Sequence, residues 1–101
     1  MPGTAVPYTA GVYAISVAAV MAGTGQQNLR AYERKGLLTP ARTAGGTRQY
    51  SQKNIDTLRR INELLEAGLN LAGIRMVLEL EADNAELEAD NARLRGKQDE
   101  D

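Results

Sequence analysis

Residues 79–92 read ELEADNA ELEADNA, one heptad written twice without a change, and RLR at 93–95 begins a third copy. No other stretch constrains the fold so tightly. Seven residues are close to two turns of α-helix, so the period keeps one narrow stripe on one side of a helix. Val77, Leu80, Asn84, Leu87, Asn91 and Leu94 recur at spacings of 3, 4, 3, 4 and 3, which places Val and Asn at a and Leu at d of a coiled-coil seam. The stripe is too narrow for a globular core. The other repeat positions are Glu, Asp and Ala, which are solvated or good helix formers. Such a helix is expected to bury its seam against a second helix, most simply its own copy. A lone charged helix frayed at its end is the alternative. Orientation stays open on the residues alone: buried Asn at a favours a parallel pair, while the flanking charges mix attraction and repulsion either way.

The rest of the chain must then form whatever the helix joins. With 101 residues there is room for one small domain and little more. The chain has no cysteine and no histidine, which removes disulfides, thiolate sites and the commonest metal ligand and general base. No metal, cofactor or catalytic residue is expected, and no enzyme. The longest apolar stretch, near VYAISVAAVMAG, is too short to span a bilayer and lacks the basic lead of a signal peptide. A cytoplasmic protein without a membrane partner is expected. Charge is divided unevenly. Residues 1–60 carry eight Lys/Arg against two acids, Glu33 and Asp56, for a net of +6; residues 61–101 carry four against eleven, for a net of −7. A basic front half suggests a polyanion partner, an uneven solvated surface being the other reading.

Residues 1–11 mix Gly, Pro and Thr without a period and read as a flexible arm. Residues 12–15, VYAI, can form a short strand. Ser16 is a good N-cap for a helix ending at Gly23, with Ile15 and Val20 as a hydrophobic staple. TGQQNLRAYERKG reads as a second helix ending near Gly36. Two short helices about a tight glycine turn outline a helix-turn-helix, or an ordinary αα-hairpin. Pro40 stops that helix from running on, and Gly45-Gly46 can supply the positive φ angles of a hairpin turn. Arg48 and Tyr50, two apart, share a strand face, so residues 37–51 form a small wing. Ser51 caps a third helix with Ile55, Leu58, Ile61, Leu64 and Leu65 on one face and Gly68 at its end. Asn70 caps a fourth, which runs to about Arg95. The expected organisation is an arm at 1–11, a winged helix-turn-helix at 12–69, a coiled-coil helix at 70–95 and an acidic disordered tail at 96–101. The fold class is mainly α: four helices plus a small β-hairpin.

NLRAYERKGLLTPARTAGGTRQYS resembles the MerR family of bacterial transcription regulators. The matching residues are Leu29, Arg30, Tyr32, Glu33, Gly36-Leu37-Leu38, Pro40, Arg48, Tyr50 and Ser51, and EAGLNLAGI is similar to the family's join between third and fourth helices. Within the family, ISVAAVMAG, LRAYE, RTAGGTRQYS and LNLAGI look most like the HspR heat-shock repressor branch. The resemblance implies a DNA-binding homodimer joined by an antiparallel coil, with a chaperone or RNA polymerase as a further partner. Gly25 and Asn28 stand where many members place Ser and Thr, and Ala31 replaces a common second aromatic, so the sequence preference is expected to differ. Metal-sensing members use cysteines that this chain lacks, and drug-sensing members append a domain for which 101 residues have no room.

Gln26, Gln27 and Asn28 open the second helix, where a recognition helix meets base edges; Gln and Asn can pair bidentately with adenine. A polar exposed face is the plain alternative. Arg30 and Tyr32 match family positions that contact the DNA backbone, or else they pack helix against wing. Arg42 and Arg48 belong on the wing beside phosphates or in a minor groove, unless they are simply solvated. Tyr50 either hydrogen-bonds a phosphate or anchors the hairpin in the core. The leading reading is a repressor that binds and distorts a palindromic operator as a homodimer. An excisionase-like architectural protein and an adaptor whose acidic coil recruits a basic helix are the rival classes.

Overall fold

The computed structural model describes residues 6–99. Its elements in chain order are α1 (Ile15–Ala22), α2 (Gln26–Arg34), β1 (Ala41–Arg42), β2 (Arg48–Gln49), α3 (Gln52–Glu66) and α4 (Leu71–Asp99). The chain divides into two compact units, residues 1–69 and 70–101.

The first unit is built on α3. Ile55, Leu58 and Ile61 are fully buried and Leu64 nearly so, while Leu65, the fifth residue of the expected face, is exposed at its edge. Burying each such side chain contributes about 1.5–3 kcal/mol. Ser51 starts the helix through a reciprocal pair: its Oγ accepts from the Asn54 N–H at 3.0 Å, and the Asn54 Oδ1 accepts from the Ser51 N–H at 2.9 Å. α1 lies against both α2 and α3, and its inward face is Ala18, Ala19 and Ala22. Alanine lets the helix backbones approach closely. The C-terminal carbonyls of α1 are then taken by α3, where Asn62 donates to Ala22 O at 2.8 Å and Arg59 to Met21 O at 3.2 Å.

One device ends α1, α2 and α3. Gly23, Gly36 and Gly68 all hold φ between 72° and 94°. In each case the glycine N–H and the next residue's N–H fold back onto the last turn, as in Thr24 N–H to Ala19 O at 3.0 Å, Leu37 N–H to Tyr32 O at 2.9 Å and Leu69 N–H to Leu64 O at 3.1 Å. These are Schellman caps, which need a left-handed residue at that point.

The start of α1 differs from expectation. Ala14, not Ser16, is the N-cap, and no side chain caps the helix. The chain enters α1 from an antiparallel bridge between Tyr13 and Tyr50, so the helix begins directly behind it. The strand expected at 12–15 is reduced to that bridge. Val20 is 82% exposed, so no staple with Ile15 forms. The expected flexible arm is also corrected in part. Residues 1–5 lie outside the described residues, but residues 6–11 are fastened: Tyr8 donates its hydroxyl to Asp56 at 2.5 Å, and Tyr8 O accepts the Lys53 N–H at 3.0 Å. That carbonyl meets an N–H of the first turn of α3, which has no partner within the helix.

The second unit is α4 with its entry. Asn70 Oδ1 accepts the Gly73 N–H at 2.8 Å. The helix runs to Asp99, past the end expected at 95. Gly96 does not stop it, because one glycine costs a helix only about 1 kcal/mol and no proline follows. The expected disordered tail is therefore helical through Asp99, and residues 100–101 lie outside the described residues. Leu80, Leu87 and Leu94 are 65%, 62% and 56% exposed. Among the described residues, no helix is long and apolar enough to cross a membrane.

Candidate nucleic-acid interface

The polar opening of α2 follows from how its two sides are divided. Leu29 and Tyr32, three apart, point into the core at 0% and 5% exposure. Gln26, Gln27 and Asn28 are consequently turned out to solvent, and Arg30 is half-exposed. Gly25 is the N-cap and has no side chain to occupy the first free N–H groups. The start of α2 thus presents amide side chains, backbone donors and the positive end of the helix dipole together. Asn28 is partly committed: its Nδ2 donates to Thr24 Oγ1 at 2.8 Å, which fixes the amide plane.

The wing is a short antiparallel hairpin in which Ala41 pairs with Gln49 and Arg42 with Arg48. Its turn places only Gly46 at positive φ, +86°; Gly45 is not in that region, contrary to expectation. The Gly46 N–H reaches Thr43 O at 2.9 Å and the Thr43 N–H reaches Thr47 O at 2.8 Å. This is a three-residue loop closed by a left-handed glycine.

The register sets two arginines directly opposite each other, which is unfavourable between like charges. Glu33, from the last turn of α2, resolves it. Its Oε1 accepts from Arg48 Nε at 2.5 Å and its Oε2 from Arg42 Nη2 at 2.9 Å. Arg42 Nη1 donates in addition to Gly46 O at 3.0 Å. One carboxylate therefore fastens α2 to both strands of the wing. The Arg48 hydrogen bond, opposed by partial burial and aided by Arg42, holds the Glu33 carboxyl below the usual carboxylate range. The same bond from Glu33 raises the Arg48 guanidinium further above its ordinary value.

Six of the eight expected contact residues, Gln26, Gln27, Asn28, Arg30, Arg42 and Arg48, reach solvent on α2 and the wing. Of the two tyrosines, Tyr50 differs from the phosphate-contact reading. Tyr50 is 0% exposed and Tyr32 5%. Tyr50 anchors the hairpin: its carbonyl accepts the Val12 and Tyr13 N–H groups at 3.0 and 2.9 Å, and its own N–H donates to Tyr13 O at 2.7 Å. Its hydroxyl has no hydrogen-bond partner among the described residues, and burial pushes its pKa up. Glu33 is the residue that the site reading lacked. The signal was present, since it is one of only two acids in residues 1–60 and lies among the cations it serves.

The profile of MerR HTH family regulatory proteins matches residues 13–81. The chain belongs to the MerR family. A heat shock protein HspR of Streptomyces coelicolor is 50% identical over 76 residues, which cover 74% of this chain and 50% of that protein. The chain spans half to three-fifths of the length of the first relatives it matches. Among solved structures, the lead(II) complex of the regulator PbrR691 from Ralstonia metallidurans CH34 is similar at TM-score 0.68 and 30% identity, covering 88% of this chain and 77% of that one. HiNmlR, a MerR family regulator lacking the sensor domain and solved bound to promoter DNA, shares the fold at TM-score 0.62 and 23% identity, covering 86% and 78%. The relatives are transcription regulators and not enzymes. In this MerR-family chain the helix-turn-helix is α1, the Gly23–Gly25 turn and α2, and the wing is the β1–β2 hairpin.

Proposed function

We propose that this chain is a repressor that binds a palindromic operator as a homodimer, with two copies of α2 on two half-sites and α4 as the joining helix. The observation that carries the DNA-contact reading is the shared surface at the start of α2 and on the wing: exposed Gln26, Gln27 and Asn28 beside Arg30, Arg42 and Arg48. Amides suit base edges and arginines suit phosphates. The HiNmlR complex with promoter DNA supports this use of the fold. The seam of half-buried Val77 and exposed Leu80, Asn84, Leu87, Asn91 and Leu94 supports pairing of two chains, since three exposed leucines in register gain only by being covered. The resemblance to the heat-shock repressor branch supports repression, and membership of a family of DNA-binding regulators supports a cytoplasmic site of action. Operator distortion and a chaperone or RNA polymerase contact rest on family likeness alone.

Genome-wide mapping of bound sites tests the reading. An inverted repeat overlapping promoter elements is the expected result. Binding without a recurrent motif, or pairing with a recombinase at attachment sites, would transfer the chain to the architectural class.

A further inference from the structure

The Glu33 carboxylate sits where an anion is required. Arg42 and Arg48 face each other across the hairpin, and Glu33 offers one oxygen to each at 2.9 and 2.5 Å. A DNA phosphate approaching the wing would offer its oxygens in the same way. The side chains of Arg42 and Arg48 are 45% and 30% exposed against 21% for Glu33, so the carboxylate is the least open to solvent of the three. The two terminal nitrogens of Arg48 have no hydrogen bond among the described residues, its Nε alone being used on Glu33. The three groups together carry one net positive charge where the arginines alone would carry two.

We propose that Glu33 is a specificity-determining residue that acts through Arg42 and Arg48. In the free protein it takes the place of a phosphate, and it yields the wing arginines only to DNA that presents a phosphate to both. The proposal rests on the DNA-binding reading above. Its consequence is selective. Any duplex meets a wing with part of its charge withheld, so non-specific attraction is weakened. An operator that docks α2 in register brings a phosphate to the wing at a fixed position and recovers the withheld charge. A carboxylate that merely braced the wing would have the opposite effect on removal, since both kinds of DNA would then bind less well.

The test is binding of the full chain to a random-sequence duplex and to a mapped operator, with Glu33→Gln and Glu33→Ala compared with wild type. Both variants should bind the random duplex more tightly and lose part of their preference for the operator. On the random duplex their salt dependence should steepen by about 0.9 in log–log slope, the increment for one further phosphate. Their gain over wild type should therefore be about three- to fourfold larger at 50 mM than at 200 mM salt. The double variant E33Q/R42Q, which restores the net charge of the triad, should return to the wild-type slope. Weaker binding of both variants to both duplexes, or an unchanged slope, overturns the proposal and leaves Glu33 a brace. A wild-type chain that binds neither duplex overturns the DNA reading itself, and this proposal with it.

Discussion

The two units obey different economies of burial. In residues 1–69, apolar periodicity is satisfied within the chain: Ile55, Leu58 and Ile61 on α3, Leu29 on α2 and Ala18 on α1 are all fully buried. In α4 an apolar period just as regular leaves Leu80, Leu87 and Leu94 more than half exposed. The difference lies in stripe width. α3 places apolar residues at spacings of three and four on a broad face that fits a globular core. The ELEADNA heptad supplies a two-in-seven seam bordered by carboxylates, which fits one partner helix. A regular pattern thus states that something must cover it, and its width states what.

The largest expected effect breaks the α4 half of that contrast. Leu80→Lys with Leu87→Lys puts like charges into the seam. Pairing should be abolished, and affinity for a full palindrome should fall by about 10²–10⁴, the usual gain from tethering two sites. Half-site affinity and the fold through residue 68 should survive. Sedimentation with binding to whole and half operators checks this; a variant that still dimerises would assign the repeat to another partner. The core half gives the next effect. Leu58→Ala should cost about 2–5 kcal/mol in denaturant unfolding, as a buried leucine with neighbours on all sides does. Leu87→Ala should cost the monomer almost nothing and appear only in the dimer constant.

Within the first unit the contrast sharpens to one surface. Gln27 is exposed at the start of α2, two residues before buried Leu29. Gln27→Ala should cost about 1–3 kcal/mol on the operator and far less on random DNA if it reads a base. Equal losses on both would place it among backbone contacts. Asn28, tied to Thr24 at 2.8 Å, should show a smaller discrimination, because one of its amide donors is already used.

What could be read from the chain is what is local in it. The glycine stops at 23, 36 and 68 and the Ser51 cap depend on residues within a few positions of one another, and each is present. The misplacements come from distant partners. Ser16 is a good cap by type, but the start of α1 is set by the Tyr13–Tyr50 bridge. Residues 6–11 have an arm's composition, yet Tyr8 finds Asp56 across 48 positions. Tyr50 alternates with Arg48 as a surface residue would, and the fold uses it as an anchor. Glu33 was visible as an isolated acid, but its bonds to Arg42 and Arg48 required the hairpin register, which puts those two arginines opposite each other. The extension of α4 past Arg95 is the reverse case: the heptad pattern ends there and the helix does not.

The smallest expected effect concerns acid. Glu33 and Asp56, the two acids of residues 1–60, both have carboxyls held below their ordinary range. For Glu33 the first cause is the Arg48 hydrogen bond; for Asp56 it is the hydroxyl of Tyr8, followed by Gln52. A depressed pKa means that the folded state binds the proton less readily than the unfolded state does. Each group therefore contributes stability above the ordinary carboxylate range, and that contribution is lost as pH falls through the lowered folded value. The stability of the wild-type chain against unfolding should fall between about pH 5 and pH 3, and Glu33→Gln should flatten part of that dependence. The groups are partly or largely exposed, so the difference should stay within about 1 kcal/mol. Tyr8→Phe supplies the comparison, since it removes the hydroxyl from Asp56 and leaves the wing untouched. If Glu33→Gln and Tyr8→Phe each flatten the acid limb and the double variant flattens it by their sum, the two carboxylates act independently. An acid limb unchanged in Glu33→Gln would show that its bonds to the wing arginines add no stability, and that their use lies in binding alone.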